Sequence, residues 1–109
     1  MVVDRDDLLF GALADSTRRD ILRRTREGRP SVSALAREYP ISVTAVQKHV
    51  AVLERAELVT KERVGRETIV RARSEGLRRA HAALDRLETE WRGRVERIDA
   101  ILDDDKGDR

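Results

Sequence analysis

Between Val43 and Leu53 the apolar residues recur every three or four positions. Val43, Val46, Val50 and Leu53 fall on one side of a helix, and Thr44, Gln47, Lys48 and Ala51 on the other. The same spacing recurs upstream. Leu8, Leu9, Phe10 and Leu13 predict a short first helix that ends at Asp15-Ser16, either of which can cap the next one. That second helix runs from Thr17 to about Glu27, buries Ile21 and Leu22, and is stopped by Gly28 and Pro30. A third starts near Ser31, turns Leu35 and Ala36 inward and stops before Pro40. After Leu58 the period changes to two: VTKERV, then Gly65-Arg66, then ETIVRA predicts a hairpin over residues 59–72. From Ser74 to about Asp103 the helical period returns. Leu77, Leu84, Leu87, Trp91, Val95, Ile98 and Leu102 make one apolar stripe on a helix of about 28 residues and about 42 Å.

Only Pro40, Ile41 and Ser42 separate the third helix from the fourth, which Ser42 caps. Two short helices so joined, followed by a hairpin, predict a mainly α, winged helix-turn-helix architecture with a long C-terminal helix. The chain of 109 residues fits one domain: residues 1–14 as a first helix, 15–73 as the core with its wing, and 74–104 as the long helix. Residues 105–109 are expected to fray.

Apolar residues make up 39% and charged residues 40%, so the core is lean and burial shared with a partner would help it. There is no cysteine, which excludes disulfides and thiolate chemistry. The absence of any apolar run near the roughly 20 residues of a membrane span, and of a secretion signal in MVVDRDDLLF, leads to the expectation of a cytoplasmic protein without membrane contact. Charge is uneven along the chain. Residues 16–79 hold 16 Lys and Arg against 8 acids, whereas the segments before and after are each net acidic. A basic middle suits a polyanion.

The outward face of the fourth helix carries hydroxyl, amide, methyl and ammonium groups, and nothing acidic occurs between Ser42 and Val52. Such groups can meet phosphates and base edges in the major groove of double-stranded DNA. His49 lies on the border of that face, and two readings stay open: a bridge to neighbouring backbone, or a phosphate or base contact. Lys61, Arg63, Arg66 and Arg71 are expected to cluster on the hairpin beside it. No spacing suggests a Ser/His/acid set, no Gly-rich phosphate loop occurs and aromatics are few, so an enzyme is not expected. A protein-interaction module, using the Leu77–Leu102 stripe to pair with a different protein, is the alternative to a DNA-binding one.

The segments LADSTRRDIL and VSALAREYPISVTAVQKHVAVLERAELVTKERVGRETIV resemble the ArsR (arsenical-resistance repressor) family of winged-helix regulators over about Leu13 to Arg73. The order and spacing of the Leu-Ala-Asp-x-Thr-Arg opening, the Ser-x-x-x-Val-x-x-His helix and the Gly-Arg wing carry the likeness. It implies a homodimeric repressor, often of its own operon, in which Ser42, Thr44, Gln47, Lys48 and His49 address the operator. It also implies pairing of the first and last helices, through Leu8, Leu9, Phe10, Leu77, His81, Leu84, Leu87, Trp91, Val95, Ile98 and Leu102. Three residues depart from the family pattern: Val50 for Leu, Glu57 for Gly before Leu58-Val59, and Pro40 where Gly is frequent. The family's metal sites use cysteines in the third helix or several histidines in the last. Here Ser33 to Glu38 has no cysteine, and the chain holds only His49 and His81. His81 with Asp85, one turn on, could complete a metal site across a dimer, but His81 is read as a dimer contact. The resemblance therefore leads to the metal-free branch, with no cofactor expected. The sequence names no effector; a dimer interface lined by Leu8, Phe10, Leu84 and Trp91 could open a small apolar pocket for one, but filled packing is the expected state there.

Overall fold

The structure is a computed structural model describing residues 4–107, with side chains described as far as Asp103. In chain order the elements are α1 (Arg5–Leu13), α2 (Ser16–Glu27), α3 (Val32–Ala36), α4 (Val43–Arg55), β1 (Val59–Val64), β2 (Glu67–Ala72) and α5 (Ser74–Gly107). The first four helices start at a side-chain cap. Asp4 accepts from the Asp6 amide, Asp15 from Arg18, Ser31 from Ala34 and Ser42 from Ala45. Each such cap satisfies an amide that the helix leaves free and contributes about 1 kcal/mol. Of the two cap candidates before α2, Asp15 is the one used. The backbone amide of Arg18, then the guanidinium's charge once burial is set aside, holds its carboxyl below the ordinary value.

The core gathers Leu9 and Ala12 of α1, Ile21 and Leu22 of α2, Val32 and Leu35 of α3, Val46, Val50 and Leu53 of α4, and Leu58, Val59 and Val70 around the hairpin. The helical phase therefore predicts most of the inward face of α4. Val43 is the exception, with 48% of its surface exposed. Angular position alone put it inside. It stands on the first turn of α4, where the neighbouring α3 is only five residues long, and the core does not extend that far along the axis.

Two further expectations change for the same kind of reason. Leu9, expected at a dimer surface, is 0% exposed and lies in the protomer's own core, because α1 packs against α2, α4 and α5 at once. Leu77 is half-buried and packs against that core too. The helix α5 meets the domain through small residues, Ala80 and Ala83, which let α1 come close. It continues to Gly107, past the predicted end near Asp103. Positions 105–107 of the tail expected to fray are thus helical, and 108 and 109 lie outside the described residues.

Strands β1 and β2 pair antiparallel, with Val59 opposite Ala72 and Val64 opposite Glu67. Gly65 (φ +62°) and Arg66 form the two-residue turn. A left-handed glycine at the first central position, followed by a residue with negative φ, is what a type II′ hairpin turn requires. The Pro30 carbonyl accepts from the Val70 amide at 2.9 Å, and Ser31 bridges to Ile69, so the base of the wing is tied to the segment before α3.

The turn between α3 and α4 is held to α2 by the chain's one tyrosine. The Tyr39 phenol donates to Asp20, whose carboxylate also accepts from Arg24, and the Arg24 guanidinium lies 5.5 Å from the ring centroid. Burial first, and the Asp20 carboxylate second, push the Tyr39 phenol from 10.0 up to about 12. The folded value is raised, so the stability this site contributes is present below pH 10 and is lost as pH rises towards 12. Phenolate absorbance of the native protein should accordingly titrate well above that of the urea-unfolded chain. Coincident titration curves would show that the phenol is neither buried nor bonded to Asp20.

Candidate nucleic-acid interface

The exposed side of α4 presents Thr44, Gln47 and Lys48 to solvent, with Ser42 exposed at its cap and Ala51 half-buried. The opposite side is fully used, since Val46, Val50 and Leu53 are 0% exposed. Burial of those three side chains fixes the rotation of the helix, so the polar face has no freedom to turn inward. Exposed Ile41 and Val43 flank Ser42 at the tip of this surface, which sequence reasoning assigned to the turn and to the core. They set two apolar side chains beside the polar ones of this face. Only depth along the helix axis, invisible to periodicity, reveals them.

His49 is half-buried at the edge of the face, and its Nδ1 lies 3.3 Å from Arg18 Nη1. A guanidinium can only donate, so Nδ1 accepts and the ring hydrogen sits on Nε2. Arg18 is itself held: its Nε donates to the Ala12 carbonyl and its Nη2 to the Gly11 carbonyl, both at 2.9 Å. Arg19 donates to the Leu13 carbonyl at 2.7 Å. The two arginines thus close the carbonyl end of α1, which has no basic residue in its own last turn. Of the two readings of His49, the bridge is present, though to the Arg18 side chain and not to backbone. Arg18 itself escaped sequence reasoning because its partner is 31 residues away.

The register of the hairpin divides the basic residues expected to cluster there. Residues directly opposite share a face. Val59, Lys61 and Arg63 therefore lie with Thr68 and Val70 on one face, and Thr60, Glu62 and Val64 with Ile69 and Arg71 on the other. Lys61 and Thr68 line a cleft of about 290 Å³ with Gln47, Val32 and Val50, so this face looks onto α4. Lys61 pairs with Glu54 of α4 at 3.3 Å, a half-exposed contact between wing and helix. Arg71 is on the far face, paired with Glu62 at 2.7 Å, and does not join the others. Arg63 donates to the Gly65 carbonyl at 3.2 Å, and Arg66 is exposed in the turn. Among the described residues Lys48, Arg63 and Arg66 enter no ion pair. A helix face without carboxylates from Ser42 to Val52 thus lies beside a ribbon whose Arg63 and Arg66 enter no ion pair among the described residues.

The helix-turn-helix domain family matches residues 13–62. The chain is 37% identical over 99 residues to the HTH-type transcriptional regulator Rv2034 of Mycobacterium tuberculosis, covering 90% of this chain and 92% of that protein. Its fold superposes on an ArsR-like transcriptional regulator from Rhodococcus sp. RHA1 with a TM-score of 0.82, at 34% identity over 91% of each chain. The chain belongs to the ArsR family of winged helix-turn-helix transcriptional regulators. A homodimeric winged helix-turn-helix DNA-binding domain from Mycobacterium bovis is also similar, with a TM-score of 0.63 and 25% identity over 80% of this chain and 81% of that one. This ArsR-family chain is therefore a transcriptional regulator with a helix-turn-helix DNA-binding domain, and α3 and α4 are its two helices.

The remaining residues expected to take part lie on α1 and α5. Leu8 and Phe10 are half-buried, and His81, Leu84, Leu87, Trp91, Val95, Ile98 and Leu102 are exposed, as is Ile101. Asp85 is exposed one turn from His81, and among the described residues no group of three or more His, Asp or Glu side chains converges.

Removing Arg18 should release both the histidine and the α1 carbonyls. In Arg18→Ala, loss of the part-buried bond to the Ala12 carbonyl and the exposed one to Gly11 should cost about 1 kcal/mol in urea unfolding. Nitrogen NMR of His49 should change from a single Nε2–H tautomer to a mixture of both. A tautomer ratio identical in the two proteins would refute the contact.

Proposed function

We propose that this chain is a homodimeric, sequence-specific repressor that inserts α4 of each protomer into the major groove of an operator. The observation that carries the reading is the exposed face of α4, free of carboxylates from Ser42 to Val52, beside Arg63 and Arg66 of the wing, which enter no ion pair among the described residues. In this reading Ser42, Thr44, Gln47 and Lys48 meet phosphates and base edges, and His49 offers its Nε2–H. Ile41 and Val43 pack on sugars or thymine methyls, and Arg63 and Arg66 hold the flanking phosphates. Lys61 serves mainly to seat the wing, and Arg71 stays off the duplex. No enzymatic step is assigned to the chain, and the cytoplasm, where its DNA resides, is the compartment that suits it.

The dimer follows from the long helix. Seven large apolar side chains between Leu84 and Leu102 are exposed on α5, Trp91 to 66%. Each contributes about 1.5–3 kcal/mol when fully buried, so an exposed row of them favours a partner. The homodimeric M. bovis relative supports a second copy of this chain as that partner. Residues 1–14 and 74–104 would then serve dimerisation, and 15–73 DNA binding. A chain without cysteine has no thiolate metal site, which supports a regulator that does not sense metals through cysteines.

Gel shifts on the protein's own promoter should give a specific complex. Gln47→Ala and Lys48→Ala should each weaken it by about 1–3 kcal/mol. Arg66→Ala should lower the slope of log affinity against log salt by about one, while Arg71→Ala leaves it unchanged. Unaltered binding by both α4 variants would overturn the assigned face. Light scattering should give about 25 kDa, twice the 12.4 kDa chain, and Trp91→Glu should give the monomer. A wild-type monomer that associates only with another protein would favour the interaction-module alternative.

A further inference from the structure

Glu57, in the turn between α4 and β1, is the only described non-glycine residue with positive φ, at 60°. A side chain in the left-handed region is strained, and glycine would hold that backbone without penalty. The glutamate side chain at this position makes contacts that glycine could not. Its carboxylate accepts from Arg5 Nη2 of α1 at 2.9 Å and from Arg79 Nη2 of α5. Arg79, and then Arg5, hold the carboxyl below its ordinary range.

The backbone at the same position completes the junction. The Glu57 amide donates to the Glu54 carbonyl of α4, and the Glu57 carbonyl accepts from the Gly76 amide in the first turn of α5, both at 3.0 Å. A Cβ on Gly76 would lie 2.7 Å from both the Ala56 and Glu57 carbonyl oxygens, so α5 touches the end of α4 backbone to backbone. The end of α4 and the beginning of α5 are thus joined at one residue, which α1 also grips.

We propose that Glu57 is a positioning residue for operator recognition: its ion pairs with Arg5 and Arg79 set the angle between α4 and α5, and through the dimer the separation of the two α4 helices. The inference rests on the dimeric operator-binding reading above. It assigns Glu57 a part in choosing the spacing between half-sites, although the side chain itself stays away from the duplex.

The chain has no cysteine, so an introduced pair can be spin-labelled cleanly. Labels at Ala51→Cys on α4 and Glu90→Cys on α5, diluted with unlabelled protein, report the angle without DNA. Glu57→Gln and Glu57→Gly should broaden or shift the distance distribution, and Arg79→Gln should reproduce the effect of Glu57→Gln. Because glycine relieves the backbone, Glu57→Gly remains folded in far-UV circular dichroism and still moves the distance. Unlabelled proteins are then bound to operators whose half-sites are moved apart or together by single base pairs. Wild type should prefer one spacing, and both Glu57 variants should lose about tenfold of that preference. Unchanged distances, or an unchanged spacing preference in a wild type that has one, would overturn the proposal. A wild type indifferent to spacing would instead overturn the dimeric operator reading, and the distances then decide the role of Glu57 by themselves.

Discussion

The burial of Val46, Val50 and Leu53 is the constraint on which the rest of the structure depends. These side chains share one core with α1, α2, α3 and the base of the hairpin. Once they are inside, the phase of α4 is set, and the residues between them can only face water. The exposed polar face is therefore a by-product of packing. Its composition is not, because a surface helix carries no general bar to glutamate. The buried Val59 and Val70, and the bond from the Val70 amide to the Pro30 carbonyl, tie the base of the wing to the same core, so helix and ribbon present one surface.

Much of this was legible in the sequence because it rests on local rules. Caps at Asp15, Ser31 and Ser42, the glycine in the hairpin turn and the stops at Gly28 and Pro40 each act within a few residues of themselves. What was not legible depends on the third dimension. The division of Lys61 and Arg63 from Arg71 required a strand register, since a slip of one residue exchanges the two faces. The exposure of Val43 required knowing how far the core reaches along the helix axis. Leu9 required knowing that α1 is surrounded on several sides within its own protomer. The Arg18–His49 contact joins residues 31 positions apart, and no spacing rule covers that distance.

The departure from the family pattern at Glu57 was visible as a letter, yet its meaning lay in the backbone. A glycine lost at a left-handed position normally signals strain and nothing more. Here Arg5 and Arg79 give the strain a counterweight, while the close approach of Gly76 transfers glycine's usual role to the facing helix. The glutamate and the glycine that faces it thus belong to a single joint.

The length of α5 gives that joint leverage. Among its described side chains, those buried against the domain lie in the opening turns, as far as Ala83, and the helix continues to Gly107. A rod of 34 residues reaches roughly 51 Å at about 1.5 Å per residue. Tilting its pivot by about 5° swings the free tip by ~4 Å, close to one base-pair step of duplex. A slight change of pitch where the helix leaves the domain is thereby magnified many-fold at its far end.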